Sequence, residues 1–317
     1  MLESYLTPAI YALVFIIAGI VVRHIRKLEP FAKPGFRVLN VAALWVMLPT
    51  VVFVSIASCT WSEILKFDNV VILALASLGA CFGVAVVLST VMRYDRKTTI
   101  AVALNSGFMN VTYLGIPLIY AIVGITGLGP ASLYAVAIGV PHLALGVMYA
   151  LAARKRHLNA RVILENVLVF PATIALITAL LFVGFNAYLP SVIQDTFYVY
   201  LAKPFFALML LLVGYQMPIV NPRKYASKLV SVGAMRFLVS PLVTYALIML
   251  LGLTIIGPTA DLPARVSLIL SIMPPAVFNI FLAYNFKLDL KLYGAMVFYL
   301  TIVSLFVVLP IMIFLVF

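Results

Sequence analysis

Apolar stretches of about 20 residues recur from one end of this chain to the other, each long enough for a helix to cross about 30 Å of hydrocarbon. Only short polar connections separate them. No soluble fold hides that much apolar surface: 65% of the 317 residues are hydrophobic and 9% are charged, where globular chains run to about half and about a quarter. The expected fold is an all-α polytopic membrane protein of ten transmembrane helices, at 5–24, 37–59, 69–92, 98–124, 129–153, 164–184, 197–219, 228–254, 264–286 and 291–316. No linker, low-complexity tract or soluble domain of any size stands between them, so 1–317 reads as a single membrane unit. The first segment has only Glu3 ahead of its apolar run, with no basic leader and no convincing cleavage site. It therefore reads as a retained helix and not a signal peptide.

The net charge of +12 would suit a nucleic acid or an acidic partner if it were gathered on one surface. Instead most of the basic residues fall in alternate connections: Arg23, Arg26, Lys27, Lys33 and Arg37; Arg93, Arg96 and Lys97; Arg154, Lys155, Arg156 and Arg161; Arg223, Lys224 and Lys228; Lys287 and Lys291. The intervening connections carry acids or almost nothing. By the positive-inside rule the basic loops are cytoplasmic, which makes this a multi-pass protein of the cell membrane with both termini outside. The clusters are topology signals, the expected partner is the lipid bilayer, and nucleic acid is not one. Cys59 and Cys81 form neither a disulfide framework nor a metal pattern, and no cofactor or metal is expected.

The helical rules are broken most openly in two places. The fourth span contains Asn105, Gly107, Asn110, Thr112, Tyr113, Gly115 and Pro117, and the ninth contains Pro274, Pro275 and Asn279. The offset that superposes Leu133-Tyr134 on Leu292-Tyr293 also lays Gly115 to Pro117 over Pro274 to Ala276. This implies two five-helix repeats, 1–155 and 160–317, inverted because each half has an odd number of spans. A lone proline is a kink, but unwound backbone at matching mid-membrane positions is tolerated only where protein or a water-filled cavity satisfies it. Pro117 and Pro275 can each open a half-helix as its first residue. Each such start presents free N–H groups and roughly half a positive charge, which suits an anion. The amides of Asn110 and Asn279 can cap loose backbone groups or bind a carboxylate, and the sequence supports both. Asn105, more than a turn earlier, reads as structural.

Three other polar residues lie within spans. His142 follows Pro141; its ring can relay a proton or bond a carbonyl freed by the proline. Arg236 in the eighth span can hold a carboxylate by its fork or snorkel to the surface. Lys203 reads as an interfacial lysine. Every acid falls in a loop or at a span end, so no core carboxylate is available for ion coupling.

The string of Asn110, Gly115, Ile116, Pro117 and Leu118 resembles the fourth-helix pattern of the auxin efflux carrier family, which includes plant PIN-type carriers and bacterial malate and malonate permeases. Met273-Pro274-Pro275-Ala276 with Ala283 and Tyr284 resembles its ninth helix, and Thr301, Ser304 and Pro310 its last. The resemblance implies broken, crossing fourth and ninth helices with substrate bound beside the crossing, lined by Asn110, Pro117 and Pro275. It implies a scaffold of helices at 5–59 and 164–219, a transport domain at 69–153 and 228–316, elevator-like movement, and often a homodimer. The chain lacks the large hydrophilic central loop of the long plant carriers, which puts that mode of regulation, and auxin itself, in question.

The function these features support is secondary transport of small organic anions, with Asn110, Thr112, Tyr113, Gly115, Pro117, Pro274, Pro275 and Asn279 at the substrate and His142 and Arg236 as proton or charge partners. An ion- or proton-coupled symporter of the related bile-acid and sodium type is an alternative, and an ion channel is the nearest rival within transport. A channel gives less reason for two breaks in register, and a receptor gives them no purpose. An intramembrane enzyme is disfavoured: no aspartate-rich metal motif, His-Glu helix pair or Gly-x-Ser-x-Gly context is present.

Overall fold

The computed structural model describes residues 2–25, 29–153, 169–257 and 259–316. Arg26, Lys27, Arg154, Lys155, Arg156 and Arg161, the expected boundary between the repeats, and the start of the expected sixth span lie outside those residues. The described chain is helical, with no strand. In order its main helices are α1 (Leu2–His24), α2 (Ala32–Ala57), α3 (Trp61–Val91), α4 (Arg96–Gly107), α5 (Val111–Val123), α6 (Leu128–Ala153), α7 (Pro171–Gly184), α8 (Ser191–Gln216), α9 (Pro222–Leu250), α10 (Leu262–Ser271), α11 (Phe278–Asn285) and α12 (Leu290–Val316). Six of them, α2, α3, α6, α8, α9 and α12, are long and apolar enough to cross a membrane. Shorter apolar helices form α5, α7, α10 and the described part of α1 from Ile10. Of the ten expected spans, those six are long enough to cross among the described residues. The fourth and ninth segments are each divided in two by an internal break.

Prolines shape the long helices in a recurrent way. π-Helical turns at Ala43–Met47, Val111–Gly115, Phe197–Leu201, Met235–Val239 and Ser304–Val308 each end just before a proline: Pro49, Pro117, Pro204, Pro241 and Pro310. A proline has no N–H to give, and its ring meets the carbonyl four residues back. Widening the preceding turn by one residue relieves both problems without ending the helix. Pro117 therefore lies inside α5 and does not open it, which corrects its expected position. Pro141 differs again, sitting within an α6 that continues through it.

Two sets of helices pack closely. In one, α1 lies against α8 and α7 against the second half of α2. A Cβ built on Gly19 would strike the carbonyl oxygen of Leu211, and one on Gly214 that of Ile16, so these glycines let two backbones touch. Phe53 meets Phe182 edge-on at 5.8 Å, and Phe36 stacks on Tyr215 at 3.7 Å. In the other set α3 is central, packed against α4, α6, α9 and α10, with α12 against α9 and α11. The sets meet where α5 rests on α1 and α8, and where α6 rests on α2 and α7.

Candidate functional site

The break between α4 and α5 begins where Phe108 turns extended (ψ 111°) and continues to Asn110 (φ −83°, ψ 63°). Asn110 is the centre of an inverse γ-turn, with the N–H of Val111 donating to Met109 O at 3.0 Å. The break between α10 and α11 spans residues 272–277, where Pro274 followed by Pro275 leaves no N–H to continue a helix. Both breaks are buried, and they solve each other's hydrogen-bonding problem. The N–H of Asn110 donates to Pro274 O at 2.8 Å, the N–H of Ala276 donates to Phe108 O at 2.9 Å, and Met109 faces Pro275 in an antiparallel bridge. The sequence offset matches Gly115 to Pro117 with Pro274 to Ala276 as equivalent repeat positions; the residues that meet across the crossing are Phe108 to Asn110 and Pro274 to Ala276. Gly115 has a different task, since a Cβ there would come within 2.7 Å of a Leu270 methyl, so it lets α5 close on α10.

Each break leaves helix ends exposed to the interior. At the C-terminal ends of α4 and α10 the loose carbonyls are met by side chains. Arg236 is fully buried, and its guanidinium donates to Met273 O at 3.0 Å, to Ser106 O at 3.2 Å, to Ser271 O, and to the sulfur of Met109 at 3.4 Å. Ser240 donates to Ser271 O at 2.6 Å and Ser304 to Ile272 O at 3.1 Å. Arg236 is therefore buried and does not snorkel, which corrects that reading; its fork is turned to the backbone of the two breaks.

The two asparagines part company. Asn279 is fully buried; its Nδ2 donates to Leu104 O and to Asn105 Oδ1, both at 3.3 Å, while Asn105 Nδ2 donates to Ala101 O at 2.8 Å. With its N–H groups committed to acceptors, the Oδ1 of Asn279 takes the hydrogen on His142 Nε2, 2.8 Å away. The His142 ring stacks on Phe108 at 4.1 Å and meets Phe278 edge-on at 5.0 Å. Its partner is a side-chain amide and not a carbonyl freed by Pro141, a second correction. Asn279 is a brace between α4, α6 and α11. Asn110, by contrast, is 2% exposed, and its Nδ2 has no partner.

A cavity of about 660 Å³ opens beside the bridge. Of the expected site residues, Asn110, Thr112, Tyr113 and His142 line it, while Gly115, Pro117, Pro274, Pro275, Asn279 and Arg236 do not. The start of α5 forms part of the cavity wall. The N–H of Val111 is used on Met109 O, and because the chain breaks at Asn110 the N–H groups that follow it in α5 have no carbonyl one turn back on the same helix. The N–H groups of Asn279 and Ile280 at the start of α11 are already used on Ala276 O and Val277 O. The positive end facing the cavity is therefore mainly that of α5. The rest is apolar and largely aromatic, with Trp45, Phe170, Phe278, Phe281 and Phe286 contributing.

Sequence reasoning passed over Asn40 and Gln216. Tyr113 donates its hydroxyl to Asn40 Oδ1 at 2.9 Å and Gln216 Nε2 donates to the same oxygen at 3.2 Å, which ties α5 to α2 and α8. A polar amide near the end of an apolar run was the available signal. Lys203 is exposed on α8 and does not line the cavity.

The sequence model of a family described as membrane transport protein matches residues 13–159, a stretch that includes α2 to α6 and the first break. Among curated proteins none matches the chain.

Proposed function

We propose that this chain, whose residues 13–159 match a family described as membrane transport protein, is a multi-pass membrane transporter and a secondary carrier of small organic anions. The observation that carries this reading is the start of α5. Asn110, whose buried side-chain amide has no partner, and the first residues of α5 line one cavity, and an amide beside a helix N-terminus favours a carboxylate. The apolar and aromatic remainder of the wall favours a monoanion with an apolar body over a compact dicarboxylate, and the volume lies within the usual range for small-molecule sites.

The ten segments are read as two inverted five-helix repeats whose breaks meet in the antiparallel bridge, with helices at 5–59 and 164–219 as scaffold and those at 69–153 and 228–316 as an elevator-like transport domain. The packing of α1 with α8 and of α7 with α2, apart from the set around α3, supports that division. The termini lie outside, and assembly is as a dimer. A monoanion leaving a cell with a negative interior gains about 2.3 kcal/mol per 100 mV, which suffices for uncoupled export. One observation favours a second reading, proton-linked transport: His142 lines the same cavity as Asn110.

Uptake by proteoliposomes of labelled indole-acetate, malonate and malate, under membrane potentials of either sign and with or without a pH gradient, tests both. Saturable flux that follows potential supports the uncoupled carrier. Flux that requires the pH gradient moves the assignment to proton-linked transport, and no flux of any carboxylate overturns the anion reading.

A further inference from the structure

Arg236 is the largest fully buried side chain among the described residues, and no carboxylate among them pairs with it. A bare cation in a membrane interior is strongly disfavoured, so something else holds it. Its acceptors on the backbone are Ser106 O at the last turn of α4, Ser271 O at the last residue of α10, and Met273 O in the break. These are the negative ends of two helices, each worth roughly half a charge. One guanidinium is thus matched by two helix C-termini, and the fork shape lets a single group reach both.

The balance has a consequence for the cavity. The crossing of broken helices contains two negative ends and two positive ends, and without Arg236 they would sum to nearly nothing at a bound molecule. With the negative ends neutralised, the positive ends are left to act, chiefly that of α5 on whatever sits beside Asn110. We infer that Arg236 is a positioning and charge-setting residue for the site: without touching the substrate, it makes the cavity select an anion over a neutral molecule of the same shape. This rests on the proposed anion carriage, and goes beyond it in assigning the origin of charge selectivity to a residue that does not line the cavity.

The test compares binding of indole-acetate with that of its neutral isostere indole-acetamide, by the purified full chain in proteoliposomes. The unaltered chain is expected to prefer the anion. Arg236→Met is expected to cut affinity for indole-acetate by about tenfold, in line with helix-end charge effects in buried settings, while affinity for indole-acetamide changes little. Arg236→Lys, which keeps the charge, is expected to retain most of the preference. Equal losses for the two ligands in Arg236→Met, or an unchanged preference, overturn the inference, because a purely structural role weakens both alike. Should Arg236→Met not fold, Ser106→Asp carries the test by leaving the guanidinium in place and neutralising its charge; it must lower the anion preference, and a preference kept overturns the assignment. No preference in the unaltered chain defeats the anion reading itself, a result separate from either loss in a variant.

Discussion

Asn110 gives its N–H to Pro274, receives the N–H of Gly115 on its carbonyl, and keeps its side-chain N–H groups unspent. On the anion reading, those groups bond the carboxylate. A hydrogen bond to a charged group is worth about 1.5–3 kcal/mol, so Asn110→Ala should raise the half-saturating substrate concentration about tenfold to a hundredfold with the protein still folded. Asn279→Ala is expected to behave differently. It strands Asn105 Oδ1 and the N–H of His142 in the interior, so thermal unfolding in detergent should show a loss of about 1–3 kcal/mol, with transport falling because less protein is folded. In the sequence the two asparagines looked alike, each a few residues from a proline. Their neighbours across the fold separate them, and those neighbours lie far away along the chain.

Helix ends and turns explain most of the elements. Asp95 caps α4, its carboxylate accepting from the N–H groups of Lys97 and Thr98 and, at 2.6 Å, from the Thr98 hydroxyl. The Thr98 hydroxyl first, then the backbone N–H groups, hold that carboxyl below its usual range. A depressed carboxyl contributes stability above the ordinary carboxylate range and loses it as pH falls through the folded value. Asp95→Ala should therefore cost about 1 kcal/mol near neutral pH, and the gap between variant and unaltered chain should close below the ordinary carboxylate range; unfolding midpoints at stepped pH check this. The breaks themselves were legible, because Asn110, Gly115 and the paired prolines are poor company for a continuous membrane helix. Their exact ends were not. A proline offers the chain two remedies, stopping the helix or widening it by one residue, and the choice at Pro117 depended on the partners waiting for the freed groups.

At the scale of the molecule, close contact and polar ties hold the two sets of helices in different ways. Gly19 and Gly214 bring α1 and α8 backbone to backbone, so Gly214→Val should part them and lower the unfolding temperature sharply, whereas substituting exposed Lys203 should not. Between the sets, the Tyr113 hydroxyl on Asn40 is a polar tie that a sliding motion must break. Tyr113→Phe should then change the maximal transport rate about twofold to tenfold, the span of an ordinary hydrogen bond, with a smaller effect on half-saturation; an unchanged rate would argue against movement at that boundary. The sequence by itself determined the solvent this chain folds in, its helical class and the neighbourhoods of both breaks, because hydropathy and proline chemistry act locally. Only the tertiary structure decided that Arg236 closes two helix ends, that His142 is bonded to Asn279, and that Asn110 is the amide left free. A hydrogen-bond donor is satisfied or orphaned by whatever the fold brings within about 3 Å of it, and residue order along the chain does not specify that.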